Sequence, residues 1–156
     1  MIKVKTLCLY LETSVFNYYF DIEREYHEDV IRLFEAIDDE KYEPYTSEYV
    51  VIELRNAPEP KRSEMLALID RYDIRVFGFD VESTRLANIY VQEGVIPERF
   101  RYDAAHIAVA TIHGLDCIVS FNFQHINKLK TKNMTAYINL NEGYKPITIC
   151  TPMEVF

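Results

Sequence analysis

Three short stretches of the chain carry apolar and β-branched residues with no charge between them: LCLYL (7–11), CIVSF (117–121) and ITI (147–149). A strand with one wet face alternates apolar and polar residues; a strand covered on both faces does not. These runs therefore point to a buried sheet, and the segments between them supply the cover. Residues 23–41 place Val30, Ile31, Phe34 and Ile37 at helical spacing among acids and Arg32. SEYVVIELRNA (47–57) reads as a helix stopped by Pro58 and Pro60. KRSEMLALIDRY (61–72) is a second amphipathic helix, and Asp80 is placed to cap a third over 81–93. A further helix runs from about Pro97 to a stop at Gly114. Thr13 and Ser14 offer cap hydroxyls for a short helix through Phe20.

Strands at 6–12, 43–47, 74–79, 116–121 and 145–152 thus alternate with helices. The expected fold is α/β, a three-layer α/β/α arrangement around a central, mostly parallel sheet. At 156 residues it is expected to be a single domain, 1–156. With 49% hydrophobic and 27% charged residues the chain is not of the disordered class. No apolar run approaches the roughly 18 residues of a membrane helix. The amino terminus, MIKVKTLCLYLE, meets Glu12 too early for a secretory signal, so a cytoplasmic location is expected. Cys8, Cys117 and Cys150 lack metal-type spacing and read as small buried hydrophobes.

In open parallel sheets, ligands bind beyond the carboxyl ends of the strands, where strand order reverses. The residues there are Glu12-Thr13-Ser14 after the first run and Asn122-Phe123-Gln124-His125 after CIVSF. Phosphate loops are excluded: neither GxGxxG nor a Walker sequence occurs, and the chain has only four glycines. HExxH and GxSxG are absent too. A net charge of −8 argues against a broad duplex-binding surface but suits clustered carboxylates.

Three acids interrupt core-like segments: Glu12 ends a strand, Glu53 lies inside YVVIEL, and Asp103 precedes AAHIAVA. A lone buried charge is costly, so each needs a partner or a cation. Two readings are open. The acids bind a hard divalent cation whose bound water acts as nucleophile. Alternatively they serve as caps or ion pairs, Asp103 with Arg99 or Arg101 and Glu53 with Arg55.

The segments also resemble a family. LYLETSVFNYYF is similar to the opening of a PIN domain, whose first strand usually runs into Asp-Thr-Ser or Asp-Ser-Ser. SEYVVIELRNAP resembles its second motif, with Ser47 starting a helix and Glu53 six residues on. RYDAAHIAVATIHGLDCIVSFNFQHINK resembles the third and fourth motifs run together, and NEGYKPITICTP the last strand of one branch.

The resemblance implies a metal-dependent ribonuclease, often the VapC-type toxin of a toxin–antitoxin pair, with Mg²⁺ or Mn²⁺ held by Glu12, Glu53 and Asp103. The family's further acid falls at Asn122, as in a branch that carries Asn and a nearby His there. Glu12 stands where Asp is usual; its extra methylene adds roughly 1.5 Å of reach, so the carboxylate must bend back or the metal must shift. Expected partners are RNA, an antitoxin protein and a second copy of the chain in a homodimer. The alternative function is a catalytically weakened PIN-like module for RNA binding or protein interaction.

Four further residues are candidates for substrate contacts. Thr13 and Ser14 either bond a ligand or phosphate or cap a helix. Ser120 either orients Asn122 or fills a strand end. His125 either meets a phosphate or a leaving group, or sits on a short surface helix. His106, with apolar neighbours, reads as a packed histidine, and the Tyr18-Tyr19 and Tyr42-Tyr45 pairs as packing or subunit contacts rather than base-stacking groups.

Overall fold

A computed structural model describes residues 5–156; residues 1–4, the start of the segment argued not to be a secretory signal, lie outside it. Among the described residues the element order is β1 (Leu7–Leu11), α1 (Thr13–Phe20), α2 (His27–Asp38), β2 (Tyr42–Ser47), α3 (Glu48–Arg55), α4 (Lys61–Arg71), β3 (Arg75–Phe77), α5 (Val81–Gln92), a 3₁₀ turn (Glu98–Phe100), α6 (Arg101–Ile112), β4 (Cys117–Val119), α7 (Leu129–Asn141), β5 (Thr148–Cys150) and α8 (Pro152–Val155). The five strands form one sheet in the order β3-β2-β1-β4-β5, with every neighbouring pair parallel. The expected α/β sandwich is present. For parallel strands in this order, the right-handed rule for crossovers assigns α1–α4 to one face and α5–α7 to the other; α1 packs on α2 and α4, and α5 on α6.

The order has one reversal. The chain lays β1, β2 and β3 outward in one direction, then returns to put β4 on the free side of β1. The carboxyl ends of β1 and β4 therefore flank the switch point. Register fixes this closely: Leu11 pairs with Val119, so Glu12 and Ser120 leave the sheet side by side. The Glu12 N–H donates to the Val119 carbonyl at 3.1 Å.

The strands are buried as their composition requires; Leu9, Tyr10, Leu11, Ile118 and Val119 are fully covered. Helix α6 is buried along Asp103–Thr111. Ala104, Ala105, Ala108 and Ala110 let it approach the sheet closely, and Gly114 ends it at φ +65, a left-handed conformation that glycine adopts without steric cost. Cys150 is buried, but Cys8 and Cys117 are only half-buried, because they lie near the amino ends of β1 and β4 at the sheet's rim. No helix among the described residues is long and apolar enough to cross a membrane.

Two helices run differently from their sequence pattern. Residues 23–26 stay outside α2, whose first residue is His27. Helix α7 was not legible as a helix: its buried face is Thr131, Thr135, Ile138 and Asn139, so it lacks an apolar stripe.

Candidate active site

Glu12 is the N-cap of α1, an unusual position for a side chain one methylene longer than the favoured Asp. The carboxylate bends back onto its own helix. Oε1 accepts from the Ser14 hydroxyl at 2.6 Å and the Ser14 N–H at 3.3 Å, and from the Ser120 hydroxyl at 2.6 Å. Ser14 also accepts the Phe121 N–H at 2.8 Å. Ser120 accepts the Asn122 N–H at 2.9 Å while it donates to Glu12, so it orients Glu12 rather than the Asn122 side chain. These bonds stitch the ends of β1 and β4 together around a buried acid.

Glu53 comes from α3. Its Oε1 accepts from the Thr13 hydroxyl at 2.9 Å and lies 2.5 Å from His106 Nε2. Arg55 is not its partner. Thr13 thus orients Glu53 instead of capping α1. Asp103, in the first turn of α6, pairs through Oδ2 with His125 Nδ1 at 3.1 Å. Arg101 bonds Glu98 and Asn88 instead of Asp103. His125 is buried, with its ring against Phe100 at 3.9 Å and tilted by 32°, and is no surface residue. Asn122 caps the turn below: its Oδ1 accepts the His125 N–H at 3.0 Å.

His106 is packed, as its neighbours suggest, but it is also the hub. It lies one turn beyond Asp103 on the same face of α6, the spacing that brings i and i+3 together. Its Nδ1 is 2.7 Å from the Tyr10 hydroxyl, which is 2.6 Å from Ser47 Oγ. Ser47 therefore spends its hydroxyl on Tyr10 and makes no side-chain cap for α3. Tyr10 and Ser47 were invisible as site residues, because one sits in an apolar strand and the other at an ordinary cap position.

The charges follow from this geometry. Burial works against charge on His106, but the Glu53 bond and charge, with Glu12 and Asp103 nearby, outweigh it and raise the imidazole above its ordinary range. Burial raises Glu53, yet the His106 bond and charge and the Thr13 bond prevail, and its carboxyl is lowered. Glu12 stays raised: burial exceeds the relief from His106, Ser120 and Ser14. Asp103 is raised by burial and by Glu53, against the favourable His106 charge, a bond from Asn122 and the charge of His125. The His106 imidazole thus lies in the field of all three acids.

No three His, Cys, Asp or Glu side chains among the described residues are gathered as a ready metal centre. The donor chemistry nevertheless suits a hard cation: three carboxylates from three elements, two of them raised by burial and crowding. Mg²⁺ takes one or two carboxylates plus waters, so a closed cage of three is not demanded.

The fold is a parallel α/β sheet whose order reverses between β1 and β4, the place where such sheets bind ligands. The family model of the PIN domain matches residues 9–130, and the chain belongs to that family. Among solved structures it is similar to Mycobacterium tuberculosis VapC20, a sarcin–ricin loop cleaving toxin, at 17% identity and a TM-score of 0.59, covering 78% of this chain and 97% of that one. At that identity the likeness speaks for the fold. No curated protein sequence matches the chain.

Proposed function

We propose that this PIN domain is a divalent-metal-dependent ribonuclease, the toxin of a toxin–antitoxin pair, working in the cytoplasm as a homodimer. What supports the reading is that Glu12, Glu53 and Asp103 belong to one buried polar network near the β1–β4 switch point, bonded to hydroxyls and histidines rather than to arginines or lysines. The VapC20 toxin's named action on the sarcin–ricin loop supports RNA as the substrate class.

Glu12, Glu53 and Asp103 would hold Mg²⁺ or Mn²⁺, directly or through water. Such an ion supplies, when bound, a water of lowered pKa and positive charge against the phosphate. The chain's own groups do the rest. Ser14 and Ser120 fix the Glu12 carboxylate, and Thr13 fixes Glu53. The Asn122 cap holds the backbone of His125, whose ring pairs with Asp103 and would be the chain's proton donor to a leaving oxygen.

The competing reading, a weakened module for RNA or protein binding, is favoured by His106, which already neutralises part of the acid cluster, and by the amide at Asn122. Cleavage of single-stranded RNA that EDTA abolishes, together with stabilisation by Mn²⁺, supports the nuclease. Neither effect at saturating Mn²⁺ leaves the binding module.

A further inference from the structure

From Cys117 to Asn141 the chain has no acidic residue, although it carries 25 Asp and Glu in 156 residues, a density at which about four would fall there. This stretch comprises β4, the loop bearing Asn122 and His125, and helix α7. It holds Lys128, Lys130 and Lys132, none of which forms an ion pair among the described residues. The first turn of α7 is tied to the site: the Thr131 hydroxyl donates to the His125 carbonyl at 2.6 Å.

The loop also presents Phe123, 50% exposed and next in sequence to Asn122. Its ring stands edge-on to the buried Phe121, at 6.4 Å and 72°, and Phe121 is itself stacked on Tyr18 at 3.9 Å. Across Phe121 lies Tyr26, at 6.1 Å, but it belongs to a different electrostatic setting. The segment DIEREYHED (21–29), which runs from the end of α1 into the first turn of α2, carries five acids around it. The segment that bears Phe123 is therefore basic and free of acids, and the segment that bears Tyr26 is acidic. Polyanions are drawn to the first and repelled from the second.

We propose that Phe123 is a stacking platform for an unpaired nucleobase beside the scissile phosphate, and that Lys128, Lys130 and Lys132 neutralise the phosphates that follow. A single strand of RNA then leaves the site along the β4–α7 segment and away from residues 21–29. This subsite rests on the ribonuclease reading above. Stacking on an aromatic face tolerates any base, and lysines grip phosphates without reading sequence, so the subsite confers single-strand preference rather than sequence preference.

The test is fluorescence anisotropy of a labelled ten-nucleotide single-stranded RNA of mixed sequence, in EDTA, over a KCl series, with the full chain. All four side chains are exposed or half-buried, and circular dichroism checks that each variant folds. For the triple variant Lys128→Gln, Lys130→Gln, Lys132→Gln, the slope of log K against log salt should become shallower by about 2, at about 0.7 per phosphate contact on a single strand. Phe123→Ala should weaken binding at least about fivefold with the slope unchanged, and Phe123→Tyr should retain it. A ten-nucleotide strand that is abasic throughout should bind wild type and Phe123→Ala equally.

Unchanged slope and affinity in both sets of variants, or wild type that binds no RNA, overturns the subsite. A separate Mn²⁺ cleavage assay tells the two proposals apart. Cleavage by wild type with variants that bind equally well leaves the nuclease and removes the subsite. Binding that depends on Phe123 and the lysines without any cleavage leaves the subsite and removes the nuclease.

Discussion

Glu53→Gln separates a metal ligand from a partner of His106. Oε1 accepts two hydrogen bonds, from Thr13 at 2.9 Å and His106 at 2.5 Å, and a glutamine carbonyl can accept both. What disappears is the charge. Without it, burial prevails at His106, and the ring becomes neutral with Nε2–H donating to Gln and Nδ1 accepting from Tyr10. Every bond in the chain Ser47–Tyr10–His106 survives. The cost is the difference between a charged and a neutral hydrogen bond, about 1 kcal/mol, and relief of repulsion with Glu12 and Asp103 offsets part of it. Melting in EDTA should therefore move by no more than about 2–4 °C at this chain length. Glu53→Ala instead leaves Thr13 and a fully buried His106 without an acceptor and should cost about 3 kcal/mol or more. In wild type, Mn²⁺ at a hundredfold excess over Kd adds about 2.7 kcal/mol; a site weakened tenfold keeps about 1.4 kcal/mol. Differential scanning calorimetry with and without Mn²⁺ reads both quantities. If Glu53→Gln keeps the whole Mn²⁺ stabilisation, Glu53 serves His106 and not a metal. If it loses more than about 3 kcal/mol in EDTA, the hydrogen-bond reasoning is wrong.

Asp103→Asn should fold within about 1 kcal/mol of wild type yet lose at least about a hundredfold in RNA cleavage, a barrier change of about 2.7 kcal/mol; equal cleavage by wild type and variant would remove Asp103 from the site. Asn122→Asp keeps the cap on the His125 N–H but sets a second carboxylate against Asp103 in place of an amide that favours its charge. Calorimetric titration should show tighter Mn²⁺ binding, and melting in EDTA should show a less stable apo protein. Asp116, far from the site, accepts from the Cys8 N–H at 2.8 Å and Lys145 at 2.9 Å; burial opposes its charge, but these bonds and the Lys145 and Lys5 charges lower its carboxyl. A lowered folded value stabilises above the unfolded carboxylate range, near about pH 3.9, and the gain is lost as pH falls through the folded value. Asp116→Asn should thus cost about 1.5–3 kcal/mol in urea melts at pH 7, and the gap should close toward pH 2.

The strands and the capped helices were legible because period and cap chemistry are local. Asp80 caps α5 through the Ser83 N–H at 2.6 Å, at the place its side chain and spacing indicate. Helix α7 was not, because its inward face is threonine and asparagine; Asn139, for one, accepts from the Tyr90 hydroxyl instead of joining an apolar stripe. Among the site residues, Glu12, Glu53 and Asp103 stood out because a charge interrupts apolar text. Their true partners did not, because each lies far off in sequence: Glu53 meets His106, and Glu12 meets Ser120. Local reading offered Arg55, Arg99 and Arg101 instead, cations that are near along the chain and elsewhere in space. Tyr10 is the hardest case, since a tyrosine in a buried strand looks the same whether its hydroxyl is idle or bonded to a histidine.

The bond from Ser120 to Glu12 spans 108 positions, and β4, which leads into Ser120, follows β1, β2 and β3 in the chain. Synthesis proceeds from the amino end, so β1, β2 and β3 with their helices emerge while the seat beside β1 stands vacant. Until β4 and its loop leave the ribosome, Glu12 has no Ser120, and Asp103 has neither His125 nor Asn122. Closing so long a loop is also slow compared with forming local helices. A fragment ending between residues 104 and 116 contains all three acids and no assembled site. For a chain read as an RNA-cutting enzyme, activity then arrives in one late step, with the nascent polypeptide inert beside the ribosome that makes it.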